Sequence, residues 1–260
     1  MVLASDRFPH AAVLEVDGHV YPADMVRAVL APFLSERRRQ RIAEVAARRT
    51  YTIVPVLEGL SDAGNLHAVL RSAEGLGYGA AEIVAPEGEA VPVVAAYARG
   101  REPAADALGK RAGVRAAQGS HKWIDLRAWS DADAFVAAAH DRGYAVVATH
   151  LSADAIPITA WDFTQPTALV FGNERDGVSE ALLARADANV LLPIDGFIQS
   201  YNISVAAALA LYHARQDRLA RQGHHGDLAE AEQAILTALF YIRSVAASSQ
   251  ILAREAAAER

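Results

Sequence analysis

The chain has 260 residues, 52% of them hydrophobic, a formal net charge of −6 and no cysteine. That length and apolar content fit one α/β domain with helical additions and exclude a disordered chain. The missing cysteine excludes disulfides, thiolate zinc sites and cysteine nucleophiles, and the acidic balance argues against nucleic-acid binding unless basic residues cluster locally.

In chain order, residues 12–20 alternate around Asp17-Gly18 and predict a small hairpin or extended arm. A helical pattern runs from Ala23 to Arg49 and carries Arg37, Arg38, Arg39, Arg41, Arg48 and Arg49. The apolar runs then shorten into predicted strands at Thr52–Leu57, Ala81–Ala85, Trp123–Leu126, Ala145–Thr149, Ala168–Phe171 and Ala188–Leu192. Between them lie helical stretches at Asn65–Leu76, Asp131–Arg142 and Ser179–Ala186. Strands alternating with helices predict an α/β fold with a mostly parallel sheet and helical extensions at both ends. The segment Pro86–Gln118 reads as a helix flanked by loops. A long helix is expected over Ile203–Arg221, then a Gly-His-His-Gly break, then one amphipathic helix over Asp227–Arg254. Three regions follow: an N-terminal arm and basic helix (1–50), a catalytic domain (51–222) and a C-terminal helical extension (223–260). No apolar signal core opens the chain and no stretch approaches the ~20 apolar residues that span a bilayer, so a soluble cytoplasmic protein with no membrane partner is expected.

One glycine cluster invites a dinucleotide-type reading. Glu74-Gly75-Leu76-Gly77-Tyr78-Gly79 spells G-x-G-x-G after an acid. Such glycines must follow a strand and open a helix to turn their N–H groups toward a ligand. Here they follow a predicted helix and precede a strand, so helix C-cap and turn duty is the simpler reading.

Three other blocks carry the chemistry. In the first, Glu58 to Arg71, a strand ends in a Gly/Ser/Asp turn and a helix begins. Asn65 sits where a cap or a ligand-facing residue would be, and Arg71 follows six residues later, just under two turns on. In the second, Leu169 to Ser179, a buried strand enters the loop Gly172-Asn173-Glu174-Arg175-Asp176-Gly177, and Ser179 caps the next helix. Glu174 then stands at the carboxyl edge of a parallel strand, where open α/β sheets place ligands. In the third, Leu191 to Ser204, a strand and loop lead to Ser200 and Asn202 at a helix start. Capping accounts for Ser200 or Asn202 alone; three polar loops at strand ends, each followed by a helix, point to one site.

These blocks resemble the SpoU/TrmH family of RNA 2′-O-ribose methyltransferases. Asn65 and Arg71 match its first motif, Phe171 to Gly177 its Phe-Gly-x-Glu-x-x-Gly loop, and Leu192-Pro193-Ile194-Asp195-Gly196 with Ser200-Tyr201-Asn202-Ile203-Ser204-Val205-Ala206 its third. Gly119-Ser120-His121-Lys122-Trp123 and Tyr212-His213-Ala214-Arg215-Gln216-Asp217-Arg218 look like the tRNA guanosine-2′-O branch. The sequence departs from the family at Asp62-Ala63-Gly64, at Tyr201 in place of leucine, and at the acid Asp195.

The resemblance implies a deep C-terminal trefoil knot, an obligate homodimer, and S-adenosyl-L-methionine as cofactor, with no metal required. It assigns the cofactor to Thr149, His150, Leu151, Gly172, Leu192, Ile194, Gly196 and Tyr201. It assigns the reaction to Arg71, Asn65, Glu174, Ser200 and Asn202, acting on tRNA, guanosine 18 of the D-loop first, or on rRNA. Arg37, Arg38, Arg39, Arg41, Arg48, Arg49, Lys122, Arg215, Arg218 and Arg221 are the expected phosphate-tracking residues. Three alternatives stay open: a Rossmann-type methyltransferase using Gly75–Gly79, a non-catalytic RNA-binding module, and a small-molecule α/β enzyme.

Overall fold

A computed structural model describes residues 7–60, 62–85 and 120–258. The predicted helix in Pro86–Gln118, Ser61 and Gly119 lie outside the described residues, as do the side chains of Ser120 and His121. The chain divides into two compact units, Met1–Thr50 with Gly226–Arg260, and Tyr51–His225.

The first unit opens with the antiparallel hairpin β1 (Val13–Val16) and β2 (His19–Pro22), turning at Asp17 and Gly18, both at positive φ. The expected helix from Ala23 to Arg49 is two helices, α1 (Ala23–Leu30) and α2 (Glu36–Ala47). Pro32 lies in the 3-10 turn between them and has no N–H for a continuous helix. Ser35 then restarts the helix, its hydroxyl accepting the Arg38 N–H at 3.2 Å. The C-terminal extension also breaks, into α7 (Glu230–Ser244) and α8 (Ser248–Ala258), at Ala247 with φ +58°. These two helices are bent by 113°, and Leu236, Ala238, Phe240 and Leu252 are buried within the unit. Among the described residues no single helix is long and apolar enough to cross a membrane.

The second unit is a parallel sheet of seven strands in the order β5-β4-β3-β8-β6-β9-β7. Its strands are β3 (Ile53–Glu58), β4 (Ala80–Val84), β5 (Asp125–Trp129), β6 (Ala145–Thr149), β7 (Ile156–Pro157), β8 (Thr167–Phe171) and β9 (Ala188–Leu191). Among the described residues its helices are α3 (Ala63–Leu76), α4 (Ala132–Asp141), α5 (Glu180–Leu183) and α6 (Ile203–Gln222). Trp123 belongs to a 3-10 turn before β5 rather than to the strand, and β7, only two residues long, had no legible apolar run.

β3 and β8 are buried at every position, as expected of central parallel strands covered on both faces. Alternate side chains enter two cores. Ile53, Leu57, Leu169 and Phe171 pack with Leu66, Val69 and Leu70 of α3 and with Ala207, Ala210 and Leu211 of α6. Val54, Val56, Ala168 and Val170 pack with Phe135 and Ala139 of α4 and with Leu182. Each large apolar side chain so buried stabilises the fold by about 1.5–3 kcal/mol. α3 ends as the glycine reading expected: Gly77 is its C-cap at φ +98°, with the Tyr78 N–H returning to the Ala73 carbonyl at 3.0 Å.

Candidate active site

β8, β6 and β9 are adjacent and parallel, so their carboxyl ends and the loops that follow them lie side by side. β3, the other neighbour of β8, brings the turn before α3 to the same edge. The first two sequence blocks thereby meet although a hundred residues separate them.

Asp62, and not Asn65, caps α3, its carboxylate accepting the Gly64 N–H at 2.7 Å. That releases the Asn65 side chain, which donates its amide N–H to the Glu174 carboxylate. The Asn65 carbonyl oxygen accepts from the Asn202 side-chain amide at 3.3 Å. Asn202 also caps α6, accepting from the Ser204 N–H at 2.9 Å and the Ser204 hydroxyl at 2.6 Å. Three of the five expected reaction residues thus form one exposed chain, Asn202–Asn65–Glu174. Arg71 and Ser200 are exposed and outside it. Among the described residues no hydrogen bond or ion pair holds the Arg71 guanidinium, which leaves it open to a ligand. Six residues of helix set it about 9 Å along α3 from Asn65.

The loop bearing Glu174 is a tight hairpin. Asn173 and Gly177 exchange both backbone hydrogen bonds at 3.1 Å, and the Asn173 side-chain oxygen accepts the Arg175 and Asp176 N–H groups at 2.8 and 2.7 Å. A Cβ on Gly172 would lie 1.9 Å from the Gly177 carbonyl carbon, so only glycine fits there. Below the loop, Glu58 at the end of β3 is 7% exposed and accepts from Ser179 twice, from its N–H at 2.8 Å and its hydroxyl at 2.6 Å. Sequence reasoning missed Glu58 and Asn173. An acid closing the apolar run Ile53–Leu57 was the available signal for Glu58; nothing marked Asn173.

The expected cofactor residues line the neighbouring loops. The Thr149 hydroxyl donates to the Val170 carbonyl at 2.8 Å, His150 is half-buried with its backbone N–H on the Val190 carbonyl at 3.1 Å, and Leu151 is exposed. Leu192 and Ile194 are half-buried, and Gly196 is exposed with open space where a side chain would be. The Tyr201 hydroxyl donates to the Pro193 carbonyl at 3.1 Å and closes the loop that begins at Leu192.

The basic residues divide. Arg37, Arg38, Arg41 and Arg48 on or beside α2 are exposed, as are Lys122 and Arg221, while Arg39 and Arg215 are half-buried. Arg39 donates to the Ala31 carbonyl at 3.1 Å and Arg38 to the Ser244 hydroxyl at 3.3 Å. Arg221 sits 2.7 Å from Asp217, whose hydrogen bond and charge hold its pKa above the ordinary arginine value. Arg49 and Arg218 are each 1% exposed, which removes them from any phosphate-facing surface. The Arg49 guanidinium lies 6.0 Å from the Phe240 ring, and Arg218 donates to the Phe163 and His225 carbonyls at 3.1 and 3.2 Å. Arg49 follows the basic helix α2 and Arg218 stands among polar residues of α6, where a buried arginine reads the same in sequence as a solvated one. Among the described residues no group of three or more histidines and acids could hold a metal.

Fold and candidate site together define an α/β protein in which polar loops gather at the carboxyl edge of a parallel sheet. The chain belongs to the SpoU rRNA Methylase family, whose profile matches residues 52–212. It is 38% identical over 185 residues to a tRNA (guanosine(18)-2'-O)-methyltransferase of Thermus thermophilus, covering 71% of this chain and 85% of that protein. It is 30% identical over 185 residues to the Escherichia coli K12 protein of the same name, covering 71% and 72%. Its fold is similar to the crystal structure of the Aquifex aeolicus TrmH/SpoU tRNA modifying enzyme, with a TM-score of 0.64 at 27% identity over 81% of this chain and 98% of that one. It is also similar to the Streptomyces viridochromogenes methyltransferase AviRb in complex with AdoMet, with a TM-score of 0.52 at 26% identity over 64% and 60%.

Proposed function

We propose that the protein transfers a methyl group from S-adenosyl-L-methionine to a ribose 2′-hydroxyl of tRNA, at guanosine 18. The observation that carries this reading is the Asn202–Asn65–Glu174 chain, which joins the three family motifs at one sheet edge beside an unengaged Arg71. The names of the Thermus and Escherichia relatives supply the substrate. The wide match to the tRNA-modifying Aquifex enzyme favours tRNA over rRNA.

The residues present fit the cofactor. The half-buried Leu192 and Ile194 offer apolar surface to a nucleoside, and the exposed Gly196 leaves backbone accessible. Thr149, His150, Leu151, Gly172, Leu192, Ile194, Gly196 and Tyr201 would hold it. When bound, it supplies an electrophilic methyl group on a sulfonium. The protein's own task is to orient the ribose hydroxyl and to provide for its proton, and alignment supplies much of the rate. Arg71 holds the target nucleotide by its phosphate or ribose hydroxyl. A guanidinium offers hydrogen-bond donors and no acceptor, so Arg71 acts as an electrostatic anchor while the phosphate assists with the proton. Asn65, oriented by Glu174 and Asn202, positions the ribose, and Ser200 faces the RNA backbone.

The reading includes a deep trefoil knot formed by the loops after β6, β8 and β9, and a cytoplasmic homodimer. The exposed apolar residues Val205, Leu209 and Tyr212 recur along one face of α6 and support a second copy of the chain there. Arg37, Arg38, Arg41, Arg48 and Lys122 serve as phosphate contacts, within a division into N-terminal arm and basic helix, methyltransferase domain and C-terminal helices.

The test is to incubate the protein with a tRNA transcript and methyl-labelled cofactor and to map ribose methylation by mass. Methyl incorporated at guanosine 18 supports the reading. Methyl at another tRNA position alone, or none in the transcript, overturns it.

A further inference from the structure

β3 is apolar from Ile53 to Leu57 and ends in an acid that stays buried. A carboxylate in such a place is costly unless donors satisfy it. Glu58 finds both donors on one residue, the N–H and the hydroxyl of Ser179. By accepting from the hydroxyl it directs that O–H away and leaves a lone pair of the oxygen for the Leu182 N–H at 3.2 Å, the capping bond of α5. Ser179 is also the foot of the Glu174 loop, one residue beyond the Gly177–Val178 backbone that packs on Gly172. The residue just past the end of β3 touches the other foot. A Cβ on Gly59 would stand 3.2 Å from the Asn173 side-chain nitrogen.

The Glu174 loop and the turn before α3 are therefore joined twice. At the top, the half-buried Asn65 and the exposed Glu174 meet in a bond open to competition from water. At the bottom, the buried Glu58 carboxylate accepts twice from the exposed Ser179 in part-buried, charge-assisted hydrogen bonds, which are stronger than neutral ones. The two-bond joint on a buried carboxylate fixes the loop; the single outer bond reports where the loop has been put.

We propose that Glu58 is a positioning residue for methyl transfer, holding Ser179 so that Glu174 meets Asn65 before any substrate arrives. This rests on the reading of the site as a methyltransferase centre. Glu58 touches no reacting atom and acts through the loop.

The test compares wild type, Glu58→Gln, Glu58→Ala and Ser179→Ala in steady-state methyl transfer to tRNA, with cofactor affinity by calorimetry and urea unfolding alongside. Loss of alignment lowers kcat, and Ser179→Ala and Glu58→Ala are expected to lower it roughly 10- to 100-fold while changing KM for tRNA and cofactor affinity less than about threefold. Glu58→Gln keeps an acceptor for the N–H and a donor for the hydroxyl oxygen, so it is expected to recover kcat to within about threefold of wild type. If Glu58→Ala does not fold, Ser179→Ala at an exposed residue and Glu58→Gln carry the comparison. Unchanged kcat in Ser179→Ala, or a Glu58→Gln as impaired as Glu58→Ala, overturns the positioning role. A loss of kcat matched by an equal loss of cofactor affinity and of unfolding midpoint overturns it too. Wild type that transfers no methyl group overturns the functional reading, and the proposal with it; an active wild type with unimpaired variants overturns the proposal alone.

Discussion

The Asn65 side-chain amide donates to the Glu174 carboxylate across 109 positions of sequence, and that contact ties the turn after β3 to the loop after β8. Both residues are polar and near the surface, so the bond adds little to stability and its value lies in orientation. Asn65→Ala and Glu174→Ala are each expected to reduce kcat by roughly 10- to 100-fold and to move unfolding by less than about 1 kcal/mol. The double variant is expected to be no worse than the more damaged single one, because both remove the same contact. Single-turnover methyl transfer and urea melts on the three proteins check this. Additive losses would falsify a shared role.

Arg71 is exposed and, among the described residues, unengaged, so its removal leaves no buried group unsatisfied. Arg71→Ala is expected to lower transfer of labelled methyl by at least about 100-fold, the scale seen when a transition-state donor is lost. Cofactor binding by calorimetry is expected to stay as in wild type. Full activity of the variant would remove Arg71 from the site.

Two glycines separate the competing cofactor readings. Gly172→Ala forces a methyl group into the Gly177 backbone, which cannot swing aside as a side chain can. It is expected to cost about 3 kcal/mol or more and to abolish cofactor binding. Gly75 lies inside α3 with open space where a methyl group would stand, and Gly75→Ala is expected to stabilise by about 0.5–1 kcal/mol with cofactor affinity unchanged. Thermal unfolding and calorimetry decide. Loss of cofactor binding in Gly75→Ala would restore the G-x-G-x-G reading.

A second copy of the chain on α6 would cover Leu209, which is 45% exposed between Val205 and Tyr212. Leu209→Glu places a charge there that a buried apolar interface cannot solvate. Light scattering is expected to give twice the chain mass for wild type and the chain mass for the variant. Equal masses would leave this stripe without a partner.

Acid sensitivity has a local origin near the start of β8. The Asp162 carboxylate accepts from the Thr164 hydroxyl at 2.7 Å and N–H at 2.9 Å, and these bonds hold its pKa below the ordinary 3.8. A depressed carboxylate stabilises the fold above its unfolded value, and that contribution is lost as pH falls through the folded value. Thr164→Val removes the hydroxyl and is expected to raise the Asp162 pKa toward 3.8 and to shift acid unfolding upward in pH. Carboxyl NMR titration of the two proteins reads the shift directly. An unmoved Asp162 titration would place its cause elsewhere.

Regular elements were legible wherever burial alone shaped them. β6 runs from Ala145 to Thr149, the span its apolar run predicts, because nothing but packing sets its ends. Breaks set by one residue, at Pro32 and Ala247, were hidden inside otherwise helical patterns. In the site, Asn65, Glu174 and Asn202 could be named from motif and edge position, but their mutual bonds could not, since side-chain direction depends on Asp62 taking the cap. The same limit explains Arg49 and Arg218: periodicity reports which way a helix faces, not whether other elements cover it.

The strand order bears on how the protein is made. β8 pairs with β3 on one side and β6 on the other, yet it leaves the ribosome after both. Until Thr167–Phe171 emerge, the β5-β4-β3 part of the sheet keeps an unpaired, apolar β3 edge, and β6 has neither neighbour, since β9 follows β8 in the chain. Joining the sheet through a late central strand, against contacts distant in sequence, makes for slow folding and a long window of exposure to aggregation. The Glu174 loop follows directly on β8, so a chain that has not yet placed this strand lacks both the joined sheet and the Asn65–Glu174 contact.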